Sequence, residues 1–127
     1  MNLNQVTVPS RDVVKAISFY EKLGFKLIVH THDKYARFEC PEGDSTFSIH
    51  FTDDISTGNV PIIYFECDDL DERVDMLVNN GIEFAEMPND KEWLWREAHV
   101  FDPDGNHLIL FKADGNRKNP PWRKKDK

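Results

Sequence analysis

The stretch Phe101–Phe111, FDPDGNHLILF, decides the fold. A β-prone approach through Ala98, Val100 and Phe101 runs into Asp102-Pro103-Asp104-Gly105-Asn106 and out into a second apolar run. Proline presets one turn dihedral there, and glycine and asparagine accept positive φ, so the segment reads as a β-hairpin. About sixty residues earlier the chain does the same. Ala36–Cys40 leads into Pro41-Glu42-Gly43-Asp44-Ser45 and then into Thr46-Phe47-Ser48-Ile49-His50-Phe51. The hairpin is repeated.

Working outward, each hairpin sits at the end of a similar unit. In the first, Leu3–Val8 alternates as a strand that Pro9 ends, with Gln5 and Thr7 on one face and Val6 and Val8 on the other. Asp12 caps a helix over 12–23 whose apolar positions Val13, Ala16, Ile17, Tyr20 and Leu23 follow the 3.6-residue period, and Gly24 stops it. Strands follow at Phe25–His30, Tyr35–Cys40 and Thr46–Thr52, with a turn at His32-Asp33-Lys34. After a polar linker, Asp53–Asn59, the order starts again. Val60–Cys67 reads as a strand, Asp69 and Glu72 as a capping-box variant, and Leu70, Val74 and Leu77 as the apolar face of a helix ending at Asn80-Gly81. Strands at Ile82–Met87, Trp93–Phe101 and His107–Lys112 complete it, with a polar turn at Pro88–Lys91. At an offset of 57, Asp12 falls on Asp69 and Gly24 on Gly81. The chain therefore reads as an α+β domain of two βαβββ modules, residues 1–57 and 60–113, followed by a basic tail, 114–127.

Composition narrows the function classes. The 127 residues are 39% hydrophobic, which suits one domain with a core. No apolar run approaches 18 residues, and the start MNLNQVTVPS has neither a charged n-region nor an apolar h-region, so a cytoplasmic protein without membrane contact is expected. Cys40 and Cys67 lack a CxxC spacing and read as reduced residues at the core edge. The net charge of −7 hides a split. The tail carries six basic residues against Asp114 and Asp126, so the preceding body holds 10 basic and 21 acidic residues, a net −11. Such a field disfavours nucleic acid and attracts cationic small molecules.

Three segments carry a family likeness: Asp12–Phe25 (DVVKAISFYEKLGF), Phe65–Asp71 (FECDDLD) and Phe101–Asn106 (FDPDGN). They resemble the vicinal oxygen chelate superfamily, which includes glyoxalase I, extradiol dioxygenases, and bleomycin and fosfomycin resistance proteins. The resemblance covers residues 1–113. It implies paired βαβββ modules curved into a cup-like sheet around a cavity, usually completed in a homodimer for short chains. It also implies four inward positions, one on the first and one on the last strand of each module, that hold a divalent metal in the enzymes.

Laid on that motif, the four positions are Gln5, His50, Ile62 and Ile109. Two are isoleucine, which has no lone pair to donate, and a one-residue slip offers only Ile63, Leu108 or Leu110. Farther along the first strand of module two, only Tyr64 or Glu66 has a donor. The expectation is a cavity without a metal or other cofactor; were a divalent metal present, Gln5 and His50 would be its ligands.

Ser48 and His50 lie opposite Phe47, Ile49 and Phe51, and a polar face on so apolar a strand needs a wet or ligand-filled space. Trp93 and Trp95 share one face of a regular strand, with Arg96 on the other, free to pair with Glu97 or a ligand carboxylate. The tryptophans serve either as core or dimer packing or, with Tyr64, Ile109 and Phe111, as a cavity wall for a planar or cationic ligand. His30 and His32 sit near a turn, and His99 and His107, without a metal-binding spacing, read as structural. In the tail, Pro120-Pro121 extends the chain so that Trp122 docks on the body or a partner subunit, and the final KKDK is expected to be mobile.

Nucleotide and nucleophile motifs are missing: no G-x-S-x-G, P-loop or G-x-G-x-x-G occurs. Two functions stay open, with a metal-free enzyme using His50 as general base a third reading. One is a homodimeric binding protein that sequesters a small aromatic or cationic molecule, as the resistance proteins do. The other is a metal-dependent lyase, isomerase or dioxygenase similar to glyoxalase I, using Gln5 and His50.

Overall fold

The computed structural model describes residues 1–55, 58 and 60–125. The expected linker includes Ser56, Thr57 and Asn59, and the KKDK end includes Asp126 and Lys127; these lie outside the described residues.

Asp12 caps helix α1 (Val13–Lys22) through its carboxylate, which accepts from the Lys15 N–H. The helix buries Val13, Ala16, Ile17 and Tyr20, the positions its period marked, and ends where Gly24 takes φ +102°. A Cβ at Gly24 would have space, with Pro41 Cγ 3.6 Å away, so positive φ is what asks for glycine there. Strands β1 (Gln5–Ser10), β2 (Lys26–Thr31), β3 (Tyr35–Glu39) and β4 (Thr46–Phe51) form a sheet in the order β1-β4-β3-β2. Helix α2 (Leu70–Asn79) starts 57 residues after α1 and buries Leu70, Val74 and Leu77. Strands β5 (Ile63–Glu66), β6 (Glu86–Asp90), β7 (Arg96–Phe101) and β8 (His107–Lys112) form the second sheet, β5-β8-β7-β6. Within each sheet the first and last strands of the module pair in parallel and the hairpins are antiparallel. The duplicated βαβββ order is therefore present in space. Among the described residues no helix is long and apolar enough to cross a membrane.

Several boundaries move for physical reasons. Pro9 does not end β1, which runs on to Ser10, because β1 is a sheet edge and an edge strand can spare an N–H. Strand β5 begins at Ile63 rather than Val60. Ile82 is buried in the core but lies in a loop, and β6 follows over Glu86–Asp90, through the expected turn. The Trp93–Phe101 strand begins only at Arg96, because Lys91–Trp95 forms a turn closed by the Lys91 N–H to Trp95 carbonyl bond at 2.7 Å. The capping box also fails. Asp69 sits at the N-cap of α2 without a side-chain cap bond, and its carboxylate faces Arg73 at 3.5 Å instead.

One core serves both modules. Tyr20, fully buried, packs against Phe25, Phe38 and Phe47, and Phe65 of the second module closes on Phe25 and Phe47 at centroid distances of 5.4 and 5.9 Å. Polar contacts cross the same seam. The Tyr20 hydroxyl donates to Asp102 Oδ2 at 2.6 Å, Asn106 Nδ2 to the Pro9 carbonyl at 3.0 Å, and the Arg11 N–H to Asp104 Oδ1 at 2.9 Å. The hairpin turn that decides the fold is thus also the clasp between modules. With β-strand alternation, one face of each sheet enters this core; the other, called open below, mixes exposed side chains such as Tyr64 and Phe101 with Ser48, Glu97, Ile109 and Phe111, which are buried.

Candidate functional site

On the open face of the first sheet, β1 and β4 pair with Gln5 opposite Thr46, Thr7 opposite Ser48, and Pro9 opposite His50. Thr46 Oγ1 donates to Gln5 Oε1 at 2.8 Å. Gln5 and His50 are therefore not mates. Four strand residues separate their levels, about 13 Å at the usual rise, so within the chain they cannot share an ion. The neighbours of Gln5 on β4 are Thr46 and, on the diagonal, Ser48. Ser48 is fully buried and bonds the Tyr35 hydroxyl at 2.8 Å, which in turn accepts from Arg37 Nε at 2.8 Å. His50 is exposed, beside Tyr35 in the register.

The open face of the second sheet is aromatic. Tyr64 stands opposite Ile109, and Phe111 follows two residues along β8. Trp95 lies flat on Phe111, with centroids 4.4 Å apart and planes 16° from parallel. Tyr64 meets both edge-on, at 5.9 and 5.8 Å. Tyr64 also lines a groove of about 430 Å³ along the seam between modules, together with Gln5, Phe25, Phe47, Glu66 and Arg73. Tyr64, Trp95 and the buried Ile109 and Phe111 are thus neighbours, Gln5 meets Tyr64 only along the groove, and His50 is not part of its lining. Arg96 does not pair with Glu97; it pairs with Asp71 at the start of α2 and with Asp90 on β6, at 2.9 and 3.1 Å.

Beside the aromatics lies a polar chain that sequence reasoning missed. Glu97 is only 3% exposed. Its Oε2 accepts from Trp93 Nε1 at 2.8 Å, and its Oε1 bonds His99 Nε2 at 2.9 Å. His99 Nδ1 in turn meets His107 Nε2 at 2.9 Å. Trp93 reaches Glu97 from the Lys91–Trp95 turn, where Leu94 takes φ +69°, rather than from a regular strand. Glu86 on β6 approaches His99 Nε2 at 3.7 Å, while its other oxygen binds Lys91. Hydrogen bonds from Lys91 and Asn89 hold the Glu86 carboxyl below its ordinary range. Burial, and then the neighbouring His99, push the His107 imidazole below the usual histidine value. The signal was present in the i, i+2 spacing of Glu97 and His99, but joining them to His107 needs the hairpin register, Phe101 opposite His107 and His99 opposite Ile109.

The tail folds back through Arg117, whose Nε lies 3.5 Å from Glu66 Oε1. Trp122 does not dock on the body; it is 59% exposed. Cys40 and Cys67 are free thiols, half-buried and buried.

The family model described as Glyoxalase/Bleomycin resistance protein/Dioxygenase superfamily matches residues 2–110. The chain belongs to this superfamily. Among relatives, it is 30% identical over 115 residues to protein YetH of Bacillus subtilis (strain 168), covering 85% of this chain and 95% of YetH. A shorter match, 36% over 52 residues, relates it to YraH of the same strain and spans 40% of this chain and 41% of YraH. The crystal structure of a bleomycin resistance determinant encoded on transposon Tn5 superposes with TM-score 0.75 at 22% identity, over 90% of this chain and 99% of that one. That likeness is one of fold.

Enzymes of the glyoxalase/bleomycin resistance/dioxygenase superfamily imply a divalent metal, and the donors here do not fit one. Ile62 and Ile109 offer only carbon, and Gln5 is engaged by Thr46 rather than facing His50. Among the described residues no group of three His, Cys, Asp or Glu side chains is placed to hold an ion.

Proposed function

We propose that this superfamily member binds a small planar aromatic molecule, neutral or cationic, against the open face of its second sheet, without a bound metal. The observation that carries the reading is Trp95, stacked over the buried Phe111 and edged by Tyr64, which also lines the seam groove. Such a wall offers a large apolar surface whose π-faces favour rings and cations. The acidic body adds an attractive field for cations.

A second copy of the chain is the proposed cover. Tyr64, Trp93 and Phe101 are 47%, 45% and 48% exposed on that face, aromatic surface that a lone chain leaves in water.

The test is titration of tryptophan fluorescence with planar aromatic compounds, charged and neutral, alongside sedimentation equilibrium. Saturable quenching with one site per chain is expected, weakened at least tenfold in Trp95→Ala, from a particle of two chains. Absence of quenching by every planar compound, or quenching indifferent to Trp95→Ala, would overturn the reading.

A further inference from the structure

We propose that Glu97, His99 and His107 form a proton relay that takes the proton of an acidic hydroxyl, phenolic or enolic, carried by the aromatic ligand. The proposal rests on the aromatic-binding reading and names the ligand's chemical class.

The argument begins with Glu97. A carboxylate so buried is costly unless its oxygens are matched, and no lysine or arginine pairs with it among the described residues. Its two partners are the Trp93 N–H and His99 Nε2. An ionised carboxylate only accepts, so His99 Nε2 carries a proton. In the neutral ring His99 Nδ1 is then an acceptor, and the 2.9 Å contact requires His107 Nε2 to donate. That fixes the tautomer of His107 and leaves its Nδ1 with a lone pair. No side chain or backbone group among the described residues bonds that Nδ1. Phe101 holds the ring flat, with centroids 4.6 Å apart and planes 22° from parallel.

The relay balances without any co-reactant. The ligand's O–H bond breaks and an N–H bond forms at His107 Nδ1. His107 Nε2 passes its own proton to His99 Nδ1. His107 ends neutral, the ligand is an oxyanion, and the positive charge rests on His99. That is where it is best matched, between Glu97 at 2.9 Å and Glu86 at 3.7 Å. The groups facing the pair are Glu97 on its own strand, Glu86 and Lys91 from the β6 side, and Trp93 from the turn. Burial keeps His107 from holding the charge itself.

His107 lies about 13 Å along β8 from Phe111, and Ile109 between them is buried, so the ligand reaches His107 across the exposed side chains of that face, Tyr64, Trp93 and Phe101, and not along β8 itself.

The experiment uses 7-hydroxycoumarin and its methyl ether, 7-methoxycoumarin, which lacks the proton. On the purified full chain at mildly acidic pH, the hydroxyl probe is expected to bind about tenfold tighter, the worth of one good hydrogen bond, and to show the excitation band of its anion. His107→Gln and Glu97→Gln should abolish the anion band and equalise the two probes, with near-ultraviolet circular dichroism confirming the fold. Nitrogen-15 spectra of the unmutated protein give an independent check, with His107 expected as the Nε2–H tautomer. Equal affinities with no anion band, an anion band surviving His107→Gln, or an Nδ1–H tautomer at His107 would overturn the relay and leave the aromatic site standing. Failure of both probes to bind would overturn the two readings together.

Discussion

Thr46 Oγ1 donates to Gln5 Oε1 at 2.8 Å, and the strand register that permits this bond places His50 opposite Pro9, four residues farther along β4. The two residues that the family pattern nominates as metal ligands therefore sit at different levels of the sheet. Dialysis against Ni²⁺, Zn²⁺, Fe²⁺ or Mn²⁺ is expected to leave far less than one ion per chain and an unchanged melting temperature. Near-stoichiometric uptake that raises the melting temperature and disappears in His50→Ala would contradict this, by mass spectrometry of metal content.

Tyr20 and Asp102 predict a stability loss. The tyrosine hydroxyl is buried, its pKa raised by that burial and by the carboxylate it serves, and Asp102 is 5% exposed. In Tyr20→Phe the carboxylate keeps its bonds from the Asp104 and Asn106 N–H groups and from Asn106 Nδ2 but loses the hydroxyl. A cost of about 2 kcal/mol is expected in urea denaturation, with little change in m-value. A loss below about 0.5 kcal/mol would mean that water replaces the bond.

Leu94 carries strain in the opposite sense. Its φ of +69° is a conformation that β-carbon sterics disfavour, and its side chain is half exposed. Leu94→Gly is expected to be neutral or stabilising by up to about 1 kcal/mol, unlike most leucine-to-glycine changes, as read from the thermal midpoint. A clear destabilisation would show that the leucine packs on a partner.

Cys67 should be a slow thiol. Burial pushes it up to about 11 from 9.0, with nearby carboxylates adding to the shift. The thiolate is the reactive form, so at pH 8 its population is about a hundredfold below that of an unperturbed cysteine. Burial raises the Cys40 thiol as well, but less, so a disulfide reagent should titrate Cys40 faster than Cys67, with Cys40→Ser leaving only the slower phase and urea making both fast. One rapid phase for two thiols in the folded protein would refute it.

Much of the architecture was legible because it rests on local rules. The 3.6-residue period of Val13, Ala16, Ile17 and Tyr20 marks the buried face of α1, and Asp102–Asn106 spells its turn. Strand β6 was legible in its place in the order but not in its bounds, the expected Ile82–Met87 overlapping it only at Glu86 and Met87. It carries Pro88 and a register break between Glu86 and Asn89, so no apolar alternation runs through it. In the candidate site, Tyr64, Trp95 and Phe111 were nameable from residue type, yet their stacking depends on cross-strand register. The Glu97–His99–His107 chain depends on it more strictly, since a slip of one residue turns each of those side chains to the other face. Trp93 finds Glu97 only through the left-handed turn at Leu94, which no alternation rule foresees.

The Asp102–Asn106 turn reaches across to Tyr20, Pro9 and Arg11, and Asn80 Nδ2 reaches the Lys22 carbonyl at 2.8 Å. The covalent tether at 53–59 then mainly supplies effective concentration to surfaces that already recognise each other. Severed there, the two halves should behave as a complementing fragment pair, each reconstituting the other when mixed, with a dilution-dependent midpoint where the intact chain has none.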